Sequence, residues 1–277
     1  MPELPEVETL RRGIEATLIG RTVRHVEVPG RRSVRRQEKA EFVDDLLGRT
    51  LIAARRRGKY LLVDLDDGAV LVVHLRMSGQ LLHLAEGATR VLHTHVVLGL
   101  DDLSEVHFVD PRTFGELFVS TQLDERRAPV ELVNIGLDPL LEGVDAPALA
   151  ARLRHRKTTL KGFLLDQREI AGIGNIYGDE ICFSARLRPE RRTESLTRPE
   201  ARRVAASIEE ILAGAVELGG SSLKDARYRD LYGGLGGFQT RHAVYDRAGK
   251  PCLRCSGTIV RARVAGRSSY SCRRCQR

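Results

Sequence analysis

Two pairs of cysteines near the C-terminus constrain the fold of this chain more than any other feature. Cys252 and Cys255 form one C-x-x-C pair, Cys272 and Cys275 form a second, and sixteen residues separate the pairs. Four thiolates at this spacing typically bind Zn²⁺ in a closed tetrahedral site, which leaves no position open for catalysis. We therefore expect one structural zinc ion, with two disulfides as the alternative. The fifth cysteine, Cys182, is expected to be a buried thiol.

The segment around these cysteines is strongly basic. From Cys252 to the end it contains seven arginines and no Asp or Glu. A surface that serves only solubility normally mixes both signs of charge, whereas arginine forks suit phosphate oxygens. The whole chain of 277 residues carries a formal net charge of +8. Both observations favour a nucleic-acid partner.

The N-terminal half changes from a helical to a strand-like pattern. Apolar residues recur at three- and four-residue steps from Leu4 to Leu18, which predicts an amphipathic helix that Gly20 can end. Residues 23–120 contain short Val- and Leu-rich runs broken by turn signals such as Asp66-Asp67-Gly68. This pattern predicts a β-rich domain, either a sandwich or a flattened barrel.

The C-terminal half has mainly helical periodicity. Residues 121–146 lack a sustained period and are expected to connect two domains. Helices are predicted over 148–165, 175–185 and 199–218, with a glycine turn at 172–174, and residues 219–237 are predicted to form a long exposed loop. The expected fold class is therefore α+β and multidomain.

The N-terminus indicates the compartment. The sequence MPELPEVETL lacks the basic and then apolar order of a secretory signal, and no apolar run reaches the length of a membrane span. We expect a cytoplasmic protein.

Seven motifs in order resemble one family, the formamidopyrimidine-DNA glycosylases. They are the zinc ribbon and six short motifs: PELPEVE (2–8), RRGKYL (56–61), HLRMSG (74–79), DPRTFG (110–115), GIGNIY (172–177) and GGSSLKD (219–225). The resemblance implies base excision repair of 8-oxoguanine and formamidopyrimidines, followed by β,δ-elimination at the abasic site. It implies an N-terminal helix plus β-sandwich (1–130), a helix-two-turns-helix domain with a lesion-capping loop (131–240) and a zinc finger hairpin (241–277). It also implies a monomer that acts on double-stranded DNA carrying oxidised purines.

The N-terminal residues carry the expected chemistry. Removal of Met1 would leave Pro2 with a secondary amine, and a terminal amine titrates close enough to neutral pH to act as a nucleophile. Glu3 and Glu6 lie three residues apart on one helix face beside that amine. The resemblance assigns Pro2 the attack on the deoxyribose C1′ and the Schiff base, Glu3 proton transfers to the sugar, Glu6 a supporting role and Lys59 a contact with the abasic-site sugar or phosphate.

The resemblance also assigns the DNA contacts. Glycosylases extrude the target nucleotide, so apolar wedges and an arginine must fill the space that it leaves. These positions are Met77, Arg112 and Phe114, of which Arg112 would also contact the orphaned cytosine. The remaining DNA contacts are His95, Lys157 or Lys161, and Asn175. Arg267 is assigned to both phosphate binding and the elimination chemistry.

Three positions depart from the family pattern, and two rival functions remain open. Thr113 stands where many relatives have arginine, Gly237 where they have tyrosine, and Arg76 where they often have glycine. One rival is an enzyme resembling endonuclease VIII, which prefers oxidised pyrimidines. The other is a non-catalytic zinc-ribbon protein that binds damaged DNA, which would gain ground if Met1 stayed attached and blocked Pro2.

Overall fold

The computed structural model describes residues 1–30, 32–223 and 228–277. The chain folds into two compact units, one made of residues 1–134 and 218–237 and the other of residues 135–217 and 238–277. No helix within the described residues combines the length and apolar character that a membrane crossing requires.

The first unit contains two four-stranded antiparallel sheets. Their strand orders are β1-β6-β7-β5 and β2-β3-β4-β8. The strands are β1 (Val23–Glu27), β2 (Leu51–Arg57), β3 (Tyr60–Leu65), β4 (Val70–His74), β5 (Gln80–Leu84), β6 (Thr94–Leu100), β7 (Glu105–Val109) and β8 (Glu116–Ser120). Apolar side chains from both sheets share one hydrophobic core, which confirms the β-rich prediction for this region.

Helix α1 (Leu4–Thr17) packs its apolar face into the same core. The prediction for this segment is confirmed, and Gly20 adopts a φ of 88° just after the helix, a conformation that glycine reaches at little cost. Helix α2 (Lys39–Leu46) is not predicted by the sequence, because the segment falls within the strand-like region and is only eight residues long. It buries only Phe42 and Leu46, too few positions to establish a helical period in the sequence.

The second unit is mainly helical. It contains α3 (Pro139–Glu142), α4 (Ala146–His155), α5 (Leu160–Leu165), α6 (Asn175–Ser184) and α7 (Arg198–Glu217). The predictions over 175–185 and 199–218 are confirmed. The continuous helix predicted over 148–165 is wrong: the chain breaks after His155, and Thr159 caps a new helix by accepting a hydrogen bond from the Gly162 amide.

The second unit ends in a β-hairpin formed by β9 (Ile259–Val264) and β10 (Arg267–Cys272). Val264 pairs with Arg267, so the connection has only two residues, Ala265 and Gly266. Both have positive φ, 48° and 74°, as a type I′ turn requires. The hairpin packs through Ile259, Tyr270 and Cys272 on Phe183 and Val244, and Cys252 belongs to the same cluster.

The glycine-rich segment 219–237 differs from its prediction. Lys224 and Asp225 of the GGSSLKD motif lie outside the described residues, as do Ala226 and Arg227. In the described part of the segment, Ser221, Ser222, Tyr228 and Leu231 are buried. The prediction of a long exposed loop is therefore wrong for these residues.

Candidate active site and nucleic-acid interface

Two buried glutamates lie at the N-terminal end of helix α1. Pro2 is buried directly after the exposed Met1. Glu3 is the N-cap of α1, and Glu3 and Glu6 form a reciprocal capping box in which the Glu3 amide donates to Glu6 Oε2 at 2.7 Å. The positive end of the helix dipole favours both carboxylates here. The two glutamates that cap helix α1 are therefore the same two carboxylates that lie beside Pro2.

Glu6 also binds the glycine-rich segment of the same unit. Its Oε1 accepts a hydrogen bond from the Ser221 amide at 2.6 Å, and Tyr228 donates from its hydroxyl to the Glu6 carbonyl oxygen at 3.4 Å. Burial and the negative charge of Glu6 both raise the pKa of Tyr228, so its phenol stays protonated. The sequence does not predict a role for Tyr228, because nothing in the GGSSLKD motif indicates that a tyrosine three residues after it contacts helix α1.

Lys59 lies in the tight turn between β2 and β3. Gly58 makes the turn with a φ of 57°, and Lys59 is only 7% exposed. The turn is held by Arg56, whose Nη1 donates to the Gly58 carbonyl at 3.0 Å and whose Nε donates to Glu8 on α1 at 3.2 Å. A buried lysine on a braced turn is a better candidate for site chemistry than a solvent-facing one.

The three predicted void-filling residues lie on two loops of the first unit. Met77 lies between β4 and β5 and is 36% exposed, and Phe114 lies between β7 and β8 and is 46% exposed. The Arg112 guanidinium stacks over the Phe114 ring, 4.9 Å from its centroid. These side chains are therefore surface groups and do not belong to the sandwich core.

Asp110 organises the loop that carries Arg112 and Phe114. Its fully buried carboxylate accepts hydrogen bonds from the Gly115 amide at 2.7 Å, the Arg112 amide at 3.2 Å and the Ser78 hydroxyl at 2.5 Å. The Ser78 bond joins this loop to the loop of Met77. One buried carboxylate thus fixes both candidate wedges.

Arg76, one of the three departures, has a defined place in the structure. It adopts a φ of 52°, which explains why glycine suits the position. Its guanidinium contacts the buried Glu116 carboxylate at 3.1 Å, and its amide donates to His74 Nδ1 at 2.9 Å. Burial, with help from the charges of Arg76 and Lys59, lowers the pKa of His74 to about 3.

The structure points to His93, not His95, as the exposed histidine of this region. The His95 ring is half-buried, with its Nε2 2.9 Å from the Asp110 carbonyl oxygen. His93 is exposed and has a φ of 69°. Sequence reasoning missed His93 because the alternation of β6, which begins at Thr94, did not reveal which histidine faces solvent.

In the second unit, the two candidate lysines have opposite environments. Lys157 is exposed between α4 and α5. Lys161 is fully buried, and its Nζ donates to Asp179 Oδ1 at 2.7 Å and to the Ser268 carbonyl at 3.0 Å. The expectation that Lys161 binds phosphate is therefore corrected, because its ammonium is already used to hold α5, α6 and β10 together.

Asn175 and Arg267 are available for an anion. Asn175 is the first residue of α6, and its side-chain amide nitrogen is the group that can donate a hydrogen bond to an anion. The amides at this helix N-terminus can bind phosphate. Arg267 is exposed at the start of β10, next to the hairpin turn.

The four C-terminal cysteines converge on one point. All four sulfur atoms lie within 4.8 Å of one another, with Cys252 Sγ 3.7 Å from Cys275 Sγ and Cys255 Sγ 3.4 Å from Cys272 Sγ. Zinc–sulfur bonds of ~2.3 Å in a tetrahedron place sulfurs ~3.8 Å apart, so these residues fit a zinc ion. Cys182 is buried elsewhere as predicted, and burial raises the pKa of its thiol.

A β-sandwich, a helical unit and an arginine-rich hairpin with four zinc ligands define a zinc-ribbon protein of the nucleic-acid-binding class. Comparison with family models agrees with this assignment in all three parts. Residues 1–117 match the formamidopyrimidine-DNA glycosylase N-terminal domain, residues 135–227 the H2TH domain of the same glycosylases, and residues 249–277 a zinc finger found in FPG and IleRS.

Relatives match over the full length. The formamidopyrimidine-DNA glycosylase of Desulfitobacterium hafniense is 41% identical to this chain, and the alignment covers 100% of both chains. The formamidopyrimidine-DNA glycosylase of Thermus thermophilus is 44% identical, and the alignment covers 100% of this chain and 98% of the relative. The crystal structure of MutM (Fpg) from Thermus thermophilus has a TM-score of 0.88 at 43% identity, covering 99% of this chain and 98% of the other. Lactococcus lactis Fpg in complex with DNA containing an abasic site has a TM-score of 0.89 at 32% identity, covering 99% of each chain. The chain belongs to the formamidopyrimidine-DNA glycosylase family, and its fold class and zinc site are confirmed.

Proposed function

We propose that this protein is a base excision repair glycosylase that removes oxidised purines from double-stranded DNA and then cleaves the strand at the abasic site. The observation that carries the proposal is the N-terminal arrangement, in which Pro2 directly precedes the Glu3–Glu6 capping box. Family membership and the DNA complexes of its relatives support the same reaction.

The chemistry begins with the amine that removal of Met1 exposes. The Pro2 nitrogen forms a bond to C1′ of the damaged nucleotide, and the glycosidic bond breaks as the base leaves with its bonding electrons. The Pro2 nitrogen loses its proton and the departing base gains one, so that the nitrogen keeps a lone pair for the next step. Glu3 donates a proton to the sugar oxygen as the ring opens, which leaves an iminium between Pro2 and C1′. Loss of a C2′ proton and then of a C4′ proton expels the 3′ and 5′ phosphates in turn. Lys59 and Arg267 bind the sugar and phosphates during these eliminations.

DNA contacts complete the proposal. Met77, Arg112 and Phe114 fill the space left by the extruded nucleotide, and Arg112 pairs with the orphaned cytosine. Lys157, Asn175 and Arg267 hold phosphates, and His93 replaces His95 as the histidine contact because of its exposure. We also propose that the protein acts as a monomer in the cytoplasm.

Borohydride trapping tests the reaction directly. The mature protein is incubated with an 8-oxoguanine:cytosine duplex and borohydride, and the linked residue is mapped by mass spectrometry. A covalent complex at Pro2 is expected with the damaged duplex, and none with the undamaged one. Tight binding without any crosslink would favour the binding-only protein.

Two comparisons sharpen this test. Glu3→Gln should lose excision of 8-oxoguanine but still be trapped on a preformed abasic site, because the abasic sugar opens to its aldehyde in water without a proton from Glu3. A thymine glycol duplex measures preference for oxidised pyrimidines, since Lactococcus lactis Fpg has been crystallised with DNA containing an oxidised pyrimidine. A strong preference for thymine glycol would favour the endonuclease VIII-like function.

A further inference from the structure

A surface concavity in the helical unit has no place in the excision reaction. It lies between helices α4 and α7 and has a volume of about 460 Å³. Its floor is formed by small apolar residues on one face of α4, namely Ala146, Pro147, Ala150 and Ala151. Because these side chains are short, the space above them is open. The volume is within the range that binds a ligand or a large side chain.

Four basic side chains complete the lining. Arg154 and His155 lie on the last turn of α4, and Arg198 and Arg202 lie four residues apart on the first turns of α7. No acidic residue lines the concavity in the part of the chain that the structure describes. The side chains of all four have no hydrogen bond or ion pair with any described residue.

Three arginines close to the concavity do have partners. Arg152 on α4 donates to the Glu169 carbonyl at 2.9 Å, and Arg156 just after α4 lies 2.5 Å from the Glu169 carboxylate. Arg203, next to Arg202 on α7, donates to the Ala185 carbonyl at 3.1 Å. These three arginines are therefore paired, whereas the four basic residues that line the concavity are not.

We propose that this concavity docks an acidic peptide segment of a partner protein, with one large apolar side chain seated on the alanine floor. Carboxylates on either side of the apolar residue would pair with the guanidinium groups, as in other recognition of acidic motifs by arginine clusters. A DNA backbone would satisfy the cations but carries no large apolar side chain that could enter the concavity. Charge and shape together thus favour the peptide.

The probe for this test is a fluorescein-labelled peptide in which one phenylalanine is flanked on each side by three aspartates. Its binding to the full-length, zinc-loaded protein is measured by fluorescence anisotropy. A second peptide carries glycine in place of phenylalanine. We expect saturable binding of the first peptide, and at least tenfold weaker binding of the second because the floor then stays uncovered.

Variants separate the concavity from general basic charge. Arg198→Ala with Arg202→Ala should weaken peptide binding at least tenfold, and Ala151→Leu should weaken it similarly by filling the space without changing charge. Arg168→Ala removes a cation that is 77% exposed outside the concavity and should leave binding unchanged. Excision of 8-oxoguanine by all of these variants should match that of the unmodified protein, which also confirms that they are folded.

Several results would overturn the proposal. The first is that the phenylalanine peptide does not bind. The second is that the glycine peptide binds as tightly as the phenylalanine peptide. The third is that Arg168→Ala weakens peptide binding as much as the Arg198 and Arg202 substitutions do. If the Arg198 and Arg202 substitutions weakened binding of duplex DNA as much as Lys157→Ala does, the concavity would belong to the DNA footprint.

Discussion

The Ser221 amide donates a hydrogen bond to Glu6 Oε1 at 2.6 Å, and this bond joins the glycine-rich segment to the first turn of helix α1. Glu6 Oε2 accepts from the Glu3 amide at the same time. One buried carboxylate therefore orients the residue beside Pro2 and holds the glycine-rich segment. Changes at Glu6 should affect stability and excision together.

Glu6→Gln tests this double role. The amide nitrogen of glutamine cannot accept a hydrogen bond, so one of the two backbone donors loses its partner. We expect the free energy of unfolding to fall by about 1–3 kcal/mol, with slower excision of 8-oxoguanine. Urea denaturation and single-turnover kinetics measure the two effects. Glu41→Gln, at an exposed position of α2, is the control, and equal losses in both variants would contradict the assigned role.

Gly220→Ala tests how closely the segment approaches Glu6. Gly220 has a φ of 78°, and a Cβ atom there would lie 2.6 Å from Glu6 Oε1. Gly48 provides a matched control, because its φ is 79° and a Cβ atom would meet nothing within 4 Å. The control should lose about 1–2 kcal/mol of stability from the left-handed backbone alone. Gly220→Ala should lose more, and equal losses in urea denaturation would show that the segment moves away freely.

The sequence predicted the elements whose signal is local and repeated. Helix α1 has an apolar residue on every turn, and the spacing of the two cysteine pairs alone predicts that their four sulfur atoms lie close together. The split between α4 and α5 was missed because the apolar period continues through it, whereas the hydrogen bond from Gly162 to Thr159 decides the break. Lys161 was misassigned for a related reason: its partner Asp179 is eighteen residues away, and only the packing of α5 on α6 brings them together.

Stability should depend on pH through His74. Burial lowers the pKa of His74 to about 3 in the folded protein, against an ordinary value of 6.5. Above pH 6.5 the imidazole is neutral in both states, and its contribution to stability is complete. As pH falls from 6.5 toward 3, the imidazole binds a proton in the unfolded chain but not in the folded protein. The free energy of unfolding therefore falls by up to about 1.4 kcal/mol per pH unit.

His74→Asn isolates this contribution. The asparagine oxygen can replace Nδ1 as the acceptor for the Arg76 amide but does not titrate. A plot of unfolding free energy against pH should therefore be flatter below pH 6.5 for this variant. His25→Asn, at an exposed histidine, should keep the steeper slope of the unmodified protein. Identical slopes in all three proteins would show that His74 is not the titrating group.

Zinc should be needed for the hairpin but not for the β-sandwich. Chelation or Cys272→Ser should remove the metal, unfold residues 249–277 and weaken DNA binding, while the strands of the first unit keep their amide protection. Metal analysis and hydrogen exchange measure these outcomes. Cys182→Ala should retain one zinc ion, because this buried cysteine is not part of the cluster. Unchanged DNA binding after complete zinc loss would contradict the proposed role of the hairpin.

The hairpin turn next to Arg267 is not optimal, which allows a stabilising substitution. Ala265 adopts a φ of 48°, a conformation that asparagine tolerates better than alanine. Ala265→Asn creates the Asn-Gly pair that type I′ turns favour and should stabilise the hairpin by about 0.5–1 kcal/mol. Gly266→Ala, at a φ of 74°, should have the opposite effect. Hydrogen exchange of β9 and β10 measures the change. If Ala265→Asn gives greater protection and unchanged strand cleavage, the strained turn is not needed to place Arg267. If strand cleavage becomes slower, the strained turn positions Arg267.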